Sequence, residues 1–210
     1  MNVKTAYDLW AGQYDTDHNR TRDLEGIALK KILGDVTFGD CLEIGCGTGK
    51  NTEWLTTKAN RIMAIDLSDE MLEKAKAKVL AQNVEFFQAD INEEWDFAAN
   101  RAFDVVTFSL VLEHIAHLDR VFENVSKIVK SGGYVYIGEL HPFKQYTGTK
   151  ARFETANGVQ VVTCYNHHVS DFTASAHKHG FDIVLLEEFF DDNDRNNIPR
   201  ILALLLKKAD

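Results

Sequence analysis

Two groups of residues in this 210-residue chain have the types and spacing to do chemistry. The first is the run Cys41-Leu42-Glu43-Ile44-Gly45-Cys46-Gly47-Thr48-Gly49-Lys50. It reads as an apolar strand entering a loop with glycine at every second position, followed by a helix-like segment from Lys50 through Lys58. The next apolar run, Arg61 to Ile65, closes on Asp66. Strand, glycine loop, helix, strand and terminal acid are how an α/β sheet holds an adenosine-containing cofactor. The loop needs small residues because its backbone turns tightly and approaches the ligand. Its N–H groups and the helix N-terminus behind it can receive a carboxylate or a phosphate. Lys50 stands where the nicotinamide fingerprint GxGxxG has its third glycine. Glu43 lies two residues before the first glycine, where an anion works against a pyrophosphate and suits a cofactor carrying an ammonium group. An unpaired carboxylate in an apolar strand is costly, so Glu43 is expected to have a partner.

The second group is the histidines. His114 falls just beyond the fourth strand-like run, and its ordinary pKa suits a base near neutral pH. The structural alternative is that it packs or caps a short helix starting near Leu112. His141 precedes Pro142 after the fifth run and is expected on the same side, as a base or a turn residue. Tyr7, Tyr14, Tyr165 and His167 are further candidates for lining a pocket. His177 and His179 are two apart on an expected helix, so they diverge and read as surface residues. His167-His168 reads as a strand-to-helix junction. Asp191–Asn197 lacks the glycine and terminal glutamate of a calcium loop. No metal site is expected. Cys46 reads as a small loop filler.

These residues need a frame. Apolar runs of strand length occur at Cys41–Ile44, Ile62–Ile65, Val84–Phe87, Phe103–Phe108, Tyr134–Ile137, Phe181–Leu186 and Ile201–Leu206. Helical periodicity fills Asp69–Leu80, with Ser68 as N-cap, and Leu118–Val129, stopped by Gly132-Gly133. Alternating strands and helices imply a mainly parallel sheet with helices on both faces. The Asp191–Pro199 link before the last run is too short for a helical crossover, so the final strand should run antiparallel to its neighbours. Residues 1–35 are expected to form one or two helices before the first strand. Residues 141–168 form an insertion, with a hairpin signal at Asn157-Gly158.

The bulk composition narrows the partners. The length fits a single domain over 1–210, and the 45% hydrophobic content is that of an ordinary globular protein. A net charge of -9 disfavours nucleic acid and anionic membrane. Three cysteines without a CxxC pair suit a reduced, cytoplasmic protein. The N-terminus lacks a signal-peptide pattern, and no apolar run approaches spanning length.

Glu43-Ile44-Gly45-Cys46-Gly47-Thr48-Gly49 resembles the ExGxGxG motif of class I S-adenosylmethionine-dependent methyltransferases, small-molecule (type 11-like) members in particular. Ala64 to Leu72, Gln88-Ala89-Asp90 and Phe103 to Ile115 are similar to later segments of that family. Tyr7 to Asp15 looks like its N-terminal cap. The resemblance implies a Rossmann-like α/β fold with a seven-stranded, mostly parallel sheet and an antiparallel C-terminal strand. It implies S-adenosylmethionine as cofactor, held by Tyr14, Glu43, Gly45, Cys46, Gly47, Asp66, Leu67, Met71, Asp90, Ile91 and Ser109. Asp66 would bond the ribose hydroxyls, Leu67 and Ile91 would flank the adenine, and Asp90 would meet its amino group. Taken singly, Asp66 and Asp90 could equally be turn or capping residues.

The reaction so implied is methyl transfer to an O, N or C nucleophile, aided where needed by His114 or His141 as base. Ser109-Leu110-Val111-Leu112 stands where methyltransferases of base amines and glutamine amides often carry (N/D)PP(Y/F). A small-molecule acceptor is therefore expected, with a monomer or homodimer as the working form. Phe143, Tyr146, Phe153 and Tyr165 on the insertion would suit an apolar or planar acceptor, or else a dimer contact or sheet-edge cover. A non-catalytic cofactor-binding protein and an NAD(P)-dependent oxidoreductase are the alternatives.

Overall fold

The computed structural model describes residues 1–155 and 158–209. Its centre is a seven-stranded sheet. β1 (Asp40–Ile44), β2 (Arg61–Asp66), β3 (Val84–Gln88), β4 (Phe103–Ser109) and β5 (Val129–Leu140) run parallel, in the order β3-β2-β1-β4-β5. The chain then forms a small antiparallel hairpin of its own, β6 (Arg152–Thr155) and β7 (Gly158–Val161). The expected turn residue Asn157 lies outside the described residues. β8 (Phe181–Phe189) takes the sheet edge, and β9 (Ile201–Lys208) inserts between β5 and β8, antiparallel to both. The unbroken apolar run Ile201–Leu206 suits that interior place, since all six residues are buried.

Alternation along the strands assigns side chains to the two faces. Leu42, Ile44, Val106, Phe108 and Ile137 pack under α5 (Leu118–Ile128) and α7 (Val169–Lys178). Cys41, Ala64, Val105 and Tyr136 pack under α2 (Arg20–Leu33), α3 (Lys50–Leu55) and α4 (Asp69–Lys78). Ser68 caps α4, its Oγ accepting the Met71 N–H at 3.2 Å. Helix α5 ends at Ile128 and passes directly into β5, so Gly132-Gly133 lies inside the strand instead of stopping the helix. The pair sits where the β4–β5 register shifts. Gly132 adopts φ +71°, and a Cβ on Gly133 would lie 2.9 Å from the Lys130 carbonyl and 3.0 Å from that of Asp104. The local signal that resembles a helix stop is here the requirement of a strand irregularity.

The N-terminal helix α1 (Val3–Trp10) and the β6–β7 hairpin share a third, smaller core. Trp10 stacks on Phe153 with ring centroids 5.0 Å apart, and Ala6, Ala11, Met71 and Val162 complete the buried cluster. Asp8 of α1 accepts a hydrogen bond from the Ser68 hydroxyl at 2.6 Å, and Asp15 accepts one from Thr48 at 2.6 Å. The cap is thus tied to the loops at the carboxyl ends of β1 and β2.

Candidate active site

A cavity opens at those carboxyl ends, beneath α1. The glycine loop forms its floor. Gly45 and Gly47 adopt φ of +72° and +55°, and the N–H groups of Gly45 and Cys46 both donate to the Ile65 carbonyl. Gly45 also has no room for a side chain, because a Cβ there would fall 2.2 Å from Cγ2 of Val111. Asp66, at the end of β2, accepts the Gly47 N–H on Oδ2 at 2.8 Å and the Ser68 N–H on Oδ1 at 2.9 Å. It braces the loop while still lining the cavity. Burial pushes its carboxyl above the ordinary value, opposed by those N–H groups. Ile44, Ile65, Leu67 and Ile91 supply apolar walls. Asp90, whose Oδ1 accepts the Asn92 N–H at 2.9 Å, stands at the far end.

The opposite wall is the loop after β4. Leu110 holds φ +59°, a region leucine rarely adopts. Glu139 of β5 pins the next turn, its Oε1 accepting the N–H groups of Val111 at 2.9 Å and Leu112 at 2.8 Å. Burial, with the Glu113 charge beside it, pushes the Glu139 carboxyl up to about 8. The turn presents His114 to the cavity. Its Nδ1 is 2.8 Å from the Thr163 carbonyl, which can only accept, so Nδ1 carries the proton. In the neutral ring Nε2 then accepts from the Tyr7 hydroxyl, also at 2.8 Å. Burial holds the Tyr7 hydroxyl proton well beyond the usual phenol range. Tyr14 lines the same cavity, its hydroxyl pushed up to about 12, chiefly by burial. Ser109 lines it too. Its buried hydroxyl lies close to the Glu25 carboxyl but outside hydrogen-bonding geometry, and has no protein partner.

Four expected site residues lie elsewhere. Glu43 alternates to the α2/α3 face, where its Oε2 accepts the Thr52 hydroxyl at 2.6 Å; burial pushes its carboxyl up to about 8. The expected partner exists, but it is a threonine inside the protein. Cys46 packs in the core on that face, as a loop filler would. Met71 is fully buried under α1. His141 is buried, with Nδ1 accepting the Phe143 N–H to cap α6 (Pro142–Tyr146) and Nε2 donating to Glu188 at 3.0 Å. Burial pushes its imidazole below the ordinary value despite that carboxylate. Of the weaker candidates, Tyr165 is exposed and His167 donates to the Ile115 carbonyl at 2.7 Å; neither lines the cavity. The aromatic lid is absent from the lining as well: Phe143 and Tyr146 are about half exposed and Phe153 is buried under Trp10.

Two residues with a larger part than the motifs indicated are Tyr7 and Glu113. Glu113 is buried beside His114, with Oε1 3.9 Å from Nε2 and Oε2 unpaired. Donor atoms of Glu113, His114 and Cys164 lie within 4.8 Å of one another. Both imidazole nitrogens are already hydrogen-bonded, and burial with the Glu113 charge pushes the Cys164 thiol up to about 12, so the trio reads as a hydrogen-bonded cluster and not as a ligand set.

The profile of a family described as a methyltransferase domain matches residues 42–137, which is β1 to β5 with the loops that build the cavity. An uncharacterized methyltransferase of Emericella nidulans is 28% identical over 97% of this chain and 84% of its own length. Residues 42–137 thus match a methyltransferase domain, and the chain as a whole is similar to class I S-adenosylmethionine-dependent methyltransferases. A ubiquinone biosynthesis O-methyltransferase of Nitrosomonas europaea is 30% identical over 54% of this chain and 48% of its own. Several such curated relatives are spanned over about half their length. The fold extends further: the solved complex of DhpI with S-adenosylhomocysteine superposes at a TM-score of 0.76, covering 99% of this chain and 95% of that one at 23% identity. No helix among the described residues is long and apolar enough to cross a membrane.

The cavity fits the family's cofactor on its own terms. A positive-φ loop with no space for a Cβ at Gly45, an unpartnered Ser109 hydroxyl, apolar walls and an acid at the end of each of two strands suit an adenosine bearing an amino-acid tail.

Proposed function

We propose that this methyltransferase transfers a methyl group to an O, N or C nucleophile of a small molecule, with His114 acting as base through Tyr7. The cofactor, when bound, supplies an activated methyl group on a sulfonium leaving group. Asp66, Leu67, Asp90, Ile91 and Ser109 with the Gly45–Gly47 backbone would hold its adenosine and tail. Tyr7 would receive the acceptor's proton while passing its own to Nε2 of His114. The resulting imidazolium is stabilised by the Thr163 carbonyl at Nδ1 and by Glu113, 3.9 Å from Nε2. Helix α1 excludes water from the reacting centre and aligns the acceptor.

The observation that carries this reading is that Asp66 and His114 line one cavity from opposite walls. The whole chain would act as one domain, with residues 1–35 and the 141–168 insertion as its cover. The free cysteines Cys41, Cys46 and Cys164 accord with a cytoplasmic setting, and the acidic surface with a soluble acceptor and not a nucleic acid. A monomer or homodimer needs nothing beyond the residues of one chain at the cavity. Incubation with methyl-labelled S-adenosylmethionine and a metabolite pool tests the activity. Tight binding of S-adenosylhomocysteine without label transfer to any acceptor would instead mark a non-catalytic binding protein.

A further inference from the structure

A second cavity of about 310 Å³ adjoins the first, and Tyr7, Tyr14 and Leu110 line both. It sits between the start of α2 and the chain leading into β6. Its lining carries five basic side chains against one carboxyl, although the chain as a whole has 23 Lys and Arg against 32 Asp and Glu. We propose that this cavity is the acceptor subsite and that the acceptor is a small oxyanion, its carboxylate or phosphate-type group held by Arg20, Arg22, Lys150 and Arg152. The inference rests on reading the first cavity as the cofactor's.

The charges there are not spent on the protein. Arg20, Lys150 and Arg152 make no ion pair among the described residues. Arg200 alone is neutralised, by both oxygens of Asp191, and it braces Thr21 at 3.0 Å. Arg22 is locked in place: its two terminal nitrogens donate to the Tyr14 and Asp17 carbonyls, and its guanidinium stacks 3.9 Å over the Tyr14 ring. Its Nε is buried with no partner. A pre-positioned guanidinium with an idle N–H, next to three free cations, is a receptor for a planar or tetrahedral oxyanion. The α2 N-terminus adds its dipole in the same sense. The opposing carboxyl, Glu113, is buried beside His114, with its Oε1 3.9 Å from Nε2. An acceptor held there reaches the first cavity across Tyr7, one of the three residues common to both and the one bonded to His114.

The test is calorimetry on the full chain, first with S-adenosylhomocysteine and then, on the loaded protein, with malonate, inorganic phosphate and uncharged malonamide. At least one of the two anions should bind and malonamide should not, the stronger anion showing whether the site favours carboxylate or phosphate. Lys150→Gln with Arg152→Gln should weaken that anion by about tenfold or more, the loss of a charge-assisted contact, and leave S-adenosylhomocysteine affinity unchanged. Binding of malonamide as tight as malonate, binding of neither anion, or an unaltered anion affinity in the double variant would overturn the proposal. Failure of wild-type protein to bind S-adenosylhomocysteine would overturn the cofactor reading itself, and the acceptor subsite with it.

Discussion

The Tyr7 hydroxyl lies 2.8 Å from Nε2 of His114, joining the first helix of the chain to the loop after β4 across 107 positions. That bond links an N-terminal cap to the reacting end of the cavity. If His114 is the base, His114→Ala should lower kcat by roughly 10²–10⁴-fold, the usual contribution of a positioned general base. S-adenosylhomocysteine affinity should change little. Tyr7→Phe should also slow turnover, by less, since Nε2 is then open to the acceptor directly. Turnover of both variants at the wild-type rate would remove the pair from the mechanism.

Asp66 bonds two backbone N–H groups, one on the glycine loop and one at the start of α4. Asp66→Ala should cost roughly 1.5–3 kcal/mol of cofactor affinity, as loss of charge-assisted hydrogen bonds does. Titration calorimetry with S-adenosylhomocysteine measures it, and an unchanged dissociation constant would show that the carboxylate serves the loop alone.

Gly45 is the tightest point of the cradle. In Gly45→Ala the new methyl would meet Val111 at 2.2 Å on a residue held at φ +72°. Destabilisation of about 1–3 kcal/mol is expected from the overpacking and the left-handed backbone. Adding Val111→Ala should recover the steric part in thermal denaturation and leave the conformational part. A double variant no more stable than Gly45→Ala would place the whole cost in the backbone.

Burial raises the carboxyls of Glu43 and Glu139 from an ordinary 4.5 to about 8 in the folded protein. Between those values the folded state binds more protons than the unfolded chain, so stability falls as pH rises through the window. Glu43→Gln keeps an acceptor for the Thr52 hydroxyl and removes the titration. It should stabilise the protein on the order of 1–3 kcal/mol at pH 8 and by much less at pH 5. Melting curves at the two pH values decide it: an equal shift at both would exclude Glu43 as the source of the slope.

Some of these positions are legible in the sequence and others are not. The glycine loop and Asp66 are contiguous with the strands that carry them, so spacing alone brings them to one end of the sheet. His114 follows from the same logic at β4. His141 obeys that rule at β5 but is turned inward, because its ring caps α6 and meets Glu188 on β8. Glu43 is adjacent to the loop in sequence, yet strand alternation turns it to the opposite face from Ile44, which lines the cavity. The parity was legible; which face holds the ligand was not.

What the sequence by itself determined is the parallel α/β frame, the antiparallel last strand and the cofactor cradle, since each arises from local periodicity, linker length or glycine conformation. The tertiary structure decided what closes the cradle. The placing of β9 inside the sheet, the Tyr7–His114 bond and the meeting of Arg22 with Lys150 and Arg152 all depend on contacts between segments far apart in the chain. Such contacts are set by how the α1–hairpin core packs on the sheet, and no single window of sequence encodes that packing.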